Sequence, residues 1–189
     1  MRVKGLVLAA GAGSRFGGPK GLARTTTGEP WVLRAVRMLQ DAGCDDVLVA
    51  VGARGDEVAA LVPPPARALG VEDWADGLAA TLRAGLDAAA TSDTDALVVT
   101  PVDTPDASPE AVRRVLDRSA RVATTPAGVL ARAVYGGRPG HPVLLGRAHW
   151  AGVRAVLAGD TGAGRYLAGH GALAVECGDL WSGRDVDRA

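Results

Sequence analysis

Apolar and polar positions along the chain fall into two alternating patterns. Residues 3–9, 47–51 and 96–100 are short apolar runs bounded by glycine, proline or charged residues, the mark of strands buried on both faces. Between them Leu33, Val36 and Leu39 share one face at helical spacing. They predict a helix that starts near Glu29-Pro30, where proline fits the first turn, and ends at Gly43. Trp31, Val32 and Met38 read as core or rim. A short helix over 56–61 stops at three prolines, an alanine-rich helix capped by Asp76 reaches Ala90, and a helix over 109–119 carries Ser108 as its cap. This βαβ alternation predicts an α/β fold, a parallel sheet covered by helices on both faces, with ligands at the carboxyl ends of the strands.

The second half is less regular. Residues 122–124 and 129–135 read as strands about a turn at 126–128, followed by a flexible loop over 136–142 that covers an acceptor, and a short strand over 143–145. Helices are expected over 149–157 and 163–168, the latter capped by Asp160, and a last strand over 173–176. The three prolines are too short a stop for a linker, so residues 1–189 read as one domain.

Composition narrows the function. With 48% hydrophobic and 22% charged residues the chain suits a packed core rather than disorder or a coiled coil. Lys+Arg and Asp+Glu are both 21, which leaves no overall field for nucleic acid or an anionic membrane; a cationic site must be local. Cys44 and Cys177 lack CxxC spacing and read as buried free thiols. No apolar run approaches the roughly 18 residues of a membrane span, and a cytoplasmic protein is expected.

The most informative stretch is Leu8-Ala9-Ala10-Gly11-Ala12-Gly13-Ser14-Arg15 and on to Lys20, where a strand opens into a glycine-rich loop with two cations. Convergent backbone amides with Arg15 and Lys20 suit a phosphate. A P-loop is excluded, because Pro19 separates Gly18 from Lys20 and Gly21 stands where a hydroxyl is needed. The dinucleotide fingerprint fits poorly: the third glycine comes one place late, and Val51-Gly52-Ala53-Arg54 offers no carboxylate. An NADP site through Arg54 stays as an alternative.

Asp103 follows the third strand in a turn between Pro101 and Pro105 and has no helix to cap. It reads either as a Mg²⁺ ligand opposite the phosphate loop or as an Asx turn. Asp185 and Asp187 alternate in an extended segment and so point the same way, toward a metal or toward solvent. His141 either meets an acceptor or hydrogen-bonds its own loop.

Five segments in register, Leu8–Lys20, Trp74–Thr81, Val102–Pro105, Gly137–Pro142 and Gly159–Arg165, resemble the nucleotidyltransferases of the molybdenum-cofactor group. The resemblance implies a three-layer α/β/α sandwich, a Rossmann-like mixed sheet that is mostly parallel with one reversed strand. It implies nucleotide binding by Leu8 to Arg15 with Lys20, Gly52, Asp76, Gly77 and Thr81, and catalysis by Arg15, Lys20 and Asp103. Acceptor binding falls to Arg138, Gly140 and His141, and metal binding to Asp103 with Asp185 or Asp187. Ala10 is similar to the branch that uses CTP rather than GTP. The implied reaction is Mg²⁺-dependent transfer of CMP to a phosphorylated acceptor such as molybdopterin. Guanylyl or sugar-phosphate nucleotidyl transfer, and a non-catalytic protein that delivers cofactor to a molybdoenzyme, are the alternatives. Two departures from the family pattern stand out: Gly21 after the lysine, and Arg188-Ala189 where a Thr-Pro is expected.

Overall fold

The computed structural model describes residues 1–187; Arg188-Ala189, the second departure, lies outside them. Seven strands form one sheet: β1 (Val3–Ala9), β2 (Asp46–Val51), β3 (Arg67–Gly70), β4 (Ala96–Pro101), β5 (Leu130–Tyr135), β6 (Arg138–Gly146) and β7 (Leu173–Glu176). Their order is β3-β2-β1-β4-β6-β5-β7. Among the described residues only β6 runs antiparallel to its neighbours, β4 and β5.

Among the described residues six α-helices cover the sheet: α1 (Trp31–Asp41), α2 (Gly55–Ala59), α3 (Leu78–Ala90), α4 (Pro109–Val122), α5 (Trp150–Val156) and α6 (Gly164–Gly169). Strand periodicity divides the core in two. Val3, Val7 and Ala9 of β1 pack under α1 and α4, with Val36, Leu39 and Val112. Leu6 faces the opposite layer with Leu82 and Leu86 of α3, Trp150 and Val153 of α5, and Leu167 of α6. The expected three-layer sandwich with one reversed strand is therefore observed. Leu6, Leu39 and Leu86 are each fully buried, and cutting one back to alanine costs about 2–5 kcal/mol.

Several local expectations are corrected. Residues 122–124 do not form a strand: α4 continues to Val122, and Ala123 leaves it in an extended conformation. The segment 136–142 is not a flexible loop. Gly136 and Gly137, both at positive φ, make a tight hairpin turn, and 138–142 belong to β6. The short β3, three of its four residues exposed at the sheet edge, left no apolar signature to read. Cys44 and Cys177 are buried and free, as expected.

The caps of two helices also differ. Gly77, at φ 102, rather than Asp76 is the N-cap of α3, and the Ala79 amide donates to the Gly159 carbonyl at 2.9 Å. A neighbouring loop satisfies the helix end, so a side-chain cap is not needed. Asp160 likewise does not cap α6, whose N-cap is Ala163. Ser108 does cap α4, accepting from the Glu110 amide at 3.1 Å.

Candidate functional site

The topology creates a crevice between β1 and β4. These strands are parallel neighbours, with Leu6 opposite Val99. The connection leaving β1 passes through α1 on one face, and the one entering β4 comes through α3 on the other. Strand order thus reverses between β1 and β4, and their carboxyl ends open onto a common space. The Val102 amide donates to the Leu8 carbonyl at 3.1 Å, tying the two exits together.

One side of this space is a cleft of about 650 Å³. Every residue from Leu8 to Arg15 lines it, as do Lys20, Gly77, Thr81, Asp103 and Asp187. The glycine-rich loop is wound about one acceptor: the amides of Phe16, Gly17 and Gly18 all donate to the Gly13 carbonyl, at 2.9, 3.0 and 3.1 Å. Phe16 anchors it against Trp31, ring centroids 5.3 Å apart. Asp76 is exposed in the turn beside the cleft rather than on its wall. Gly52 lies beneath Trp74, where a Cβ would meet the Trp74 Cβ at 2.5 Å, so it shapes the floor without lining it.

The other side is a chamber of about 490 Å³ under β5 and β6. Gly140 and His141 line it together with Asp103 and Asp185, while Arg138 is exposed outside it. The two cavities share Leu8, Leu78, Pro101 and Asp103. Asp103 therefore stands where they meet.

The surroundings of Asp103 are dense. Thr104 Oγ1 donates to the Pro101 carbonyl at 3.0 Å, which holds the turn. Asp103 Oδ2 accepts from Lys20 Nζ at 2.8 Å, and Oδ1 is buried with no hydrogen-bond partner. The carboxylate is turned into the cavity, not into an Asx turn. One carboxylate oxygen each from Asp103, Asp185 and Asp187 lie within 4.8 Å of one another. Like charges packed so closely repel, and a buried carboxylate oxygen left unpaired is costly. Lys20 partly offsets the repulsion, since its Nζ also lies 3.0 Å from Asp187 Oδ1. Burial disfavours the Lys20 ammonium, but the hydrogen bonds and charges of Asp103 and Asp187 outweigh it and hold its pKa above the ordinary value.

The last strand-like segment is positioned by aromatic packing. Trp181 Nε1 donates to Tyr135 Oη at 2.6 Å, Tyr135 Oη donates to the His141 carbonyl at 2.6 Å, and the two rings meet edge to face. Gly183, at φ +69, passes so close to the Tyr135 ring that a Cβ would lie 2.2 Å from Cδ2. Beyond it the Val186 amide donates to the Asp103 carbonyl at 2.9 Å. Val186 packs on the core, which turns Asp185 and Asp187 toward Asp103, as their alternation suggested. Burial lowers the His141 pKa despite the pull of Asp103 and Asp185, so its imidazole is neutral at pH 7.

Three contributors carried no assigned site role in the sequence. Asp160 lines the nucleotide-side cleft, with Oδ1 2.6 Å from where a Cβ at Gly77 would be; its glycine-flanked segment was the available signal. The Trp181–Tyr135 pair gave none, since its residues are far apart in sequence. Arg132 lines the second chamber, and an arginine within an apolar strand was the clue to it.

This fold and cleft define an α/β protein of the nucleotidyltransferase type. A family model described as the MobA-like NTP transferase domain matches residues 5–175, and the chain belongs to that family. It is 34% identical over 196 residues to nicotine blue oxidoreductase of Paenarthrobacter nicotinovorans, covering 98% of this chain and 92% of the relative. Two crystal structures superpose on the whole chain. Rv0371c from Mycobacterium tuberculosis H37Rv gives a TM-score of 0.77 at 25% identity with 94% of its own chain covered. Its homologue from Mycobacterium sp. strain JC1 gives 0.80 at 27%, with 92% covered. Rv0371c has also been solved in complex with manganese; that structure covers 94% of this chain and 88% of its own, with TM-score 0.72 at 23% identity. No helix among the described residues is long and apolar enough to cross a membrane.

Proposed function

We propose that the chain transfers a nucleoside monophosphate, CMP from CTP, to the phosphate of a small-molecule acceptor and releases pyrophosphate. The observation that carries this reading is the meeting of two cavities at Asp103, one walled by the phosphate loop and the other by Gly140 and His141. A transfer between two bound molecules needs such a shared wall. CTP rather than GTP rests on Ala10, and molybdopterin as acceptor on the family resemblance.

Asp103, Asp185 and Asp187 are the residues that would hold a divalent cation. Three converging carboxylates with one orphaned buried oxygen fit Mg²⁺ or Mn²⁺. When bound, such an ion neutralises charge on the phosphates.

The chain's own groups account for the remaining steps. The loop amides, Arg15 and Lys20 hold the triphosphate, and Gly77, Thr81 and the turn before α3 position the nucleoside. An acceptor phosphate oxygen attacks the α-phosphorus in line, forming one P–O bond as the bond to the β-phosphate breaks. No general base is needed, because a phosphate monoester with a second pKa of about 6 is already ionised at pH 7. Lys20 and Arg15 meet the negative charge that moves onto pyrophosphate.

The name of the 34%-identical relative favours a second reading, a redox enzyme on the same scaffold. One feature weighs against it: hydride transfer gives no role to the three converging carboxylates. Pyrophosphate release with CTP, GTP, UTP and ATP against molybdopterin and other phosphorylated acceptors tests the first reading, and NADPH oxidation in parallel tests the second. Release with CTP and no NADPH consumption supports transfer; nucleotide binding without release in any pair supports a non-catalytic carrier.

A further inference from the structure

Arg132 does not fit its surroundings. It lies in β5 opposite Val143 of β6 and Ala174 of β7, and it lines the second chamber among Leu82, Val99, Val143, Leu145 and Leu167. Its Nε is buried with no hydrogen-bond partner. The sheet pairing shifts register between Arg132 and Val134, an irregularity of the kind that re-aims a side chain at a functional site. No other lysine or arginine among the described residues lines this chamber. A buried, unpaired Nε on a permanently charged guanidinium is costly unless an acceptor completes it.

We propose that Arg132 is the acceptor-reading residue: its guanidinium takes an anionic oxygen group, phosphate or carboxylate, on a flat and otherwise apolar acceptor. This rests on the two-chamber reading above and specifies its acceptor side. The planar fork matches two oxygens of a phosphate or carboxylate at once, while the aliphatic walls and prolines suit a ring system. At about 490 Å³ the chamber falls in the range of small-molecule sites, ~300–1,000 Å³. Arg132 lines the same chamber as Asp103 and Asp185, so an anion that enters does not face carboxylates alone.

The test is binding, without turnover, of 2-naphthyl phosphate, 2-naphthoate and the uncharged 2-naphthamide, followed by calorimetry in the wild-type protein and in Arg132→Gln and Arg132→Lys. We expect the wild type to bind at least one anion about tenfold more tightly than the amide, a difference set by one charge-assisted contact. The phosphate-to-carboxylate ratio then identifies the preferred group. Arg132→Gln should lose the preference while keeping its affinity for Mg²⁺–CTP, and Arg132→Lys should retain part of it. Equal affinity for anions and amide in the wild type, absence of binding by all three, or an undiminished preference in Arg132→Gln would overturn the proposal. Loss of pyrophosphate release with the anion preference intact would instead count against the transfer reading alone.

Discussion

Lys20 Nζ lies 2.8 Å from Asp103 Oδ2, so the lysine of the phosphate loop is paired with the carboxylate that would hold a cation. Both side chains are largely shielded, at 16% and 20% exposure. Lysine and a divalent ion therefore compete for one group. Substituting Lys20 with Met should raise the affinity for Mn²⁺ alone by about tenfold, as expected if roughly 1.4 kcal/mol of competition is removed, while slowing pyrophosphate release. Electron paramagnetic titration of free Mn²⁺ checks the first effect; unchanged affinity would mean that lysine and ion do not compete for Asp103.

Asp103→Asn should reduce metal-dependent turnover by about 100-fold or more, the scale of removing one preorganised electrostatic contact. The circular dichroism spectrum and melting temperature should stay close to wild type, because the change weakens the pair with Lys20 but also relieves repulsion among three converging carboxylates, and Lys20 keeps Asp187. Full activity in this variant would remove Asp103 from the mechanism.

The tail that carries Asp185 and Asp187 hangs on Tyr135. Tyr135→Phe removes both the donor to the His141 carbonyl and the acceptor for Trp181, and Gly183→Ala drives a methyl into the ring. Each should lower activity by about 10-fold through weaker metal use, the usual effect of disturbing groups that orient ligands. Excess Mg²⁺ should partly restore the rate. A loss that metal does not relieve would show that the tail serves the fold rather than the site.

Much of this arrangement was legible in sequence. β1 was readable because a buried parallel strand needs a continuous apolar run, and Asp103 because two prolines fix its turn after β4. The alternation of Asp185 and Asp187 also had a direct geometric meaning. What sequence could not supply were satisfactions from distant segments: the Gly159 carbonyl that completes the first turn of α3 in place of Asp76, and the Trp181–Tyr135 pair. Residues 122–124 misled because β-branched residues favour strands, yet one more turn of α4 prevailed. Arg138 was named with His141, but it lies exposed at the hairpin end of β6, outside the chamber that Pro139, Gly140 and His141 line, and it was Arg132 on the neighbouring strand that lined the chamber.

Acid stability should carry the signature of Asp46. Burial raises its pKa, but hydrogen bonds from Arg67 and Lys4 prevail and hold it below its ordinary value of 3.8. A depressed carboxylate pKa contributes stability fully above the unfolded-state value, and loses it as pH falls through the folded-state value. Asp46→Asn should thus cost about 0.5–1 kcal/mol at pH 7. The difference from wild type should shrink below about pH 4. Urea denaturation at pH 7 and pH 3 checks the sign; an equal loss at both would assign the effect to packing.

The most direct test of two substrates meeting at Asp103 is a crystal structure with Mg²⁺ and a CTP analogue that resists transfer. Phosphates should lie against the loop from Gly11 to Lys20, the metal on Asp103 and on Asp185 or Asp187, and the α-phosphorus should face the chamber lined by Arg132 and His141. A nucleotide bound with its phosphates away from Asp103, or with its base filling that chamber, would contradict it.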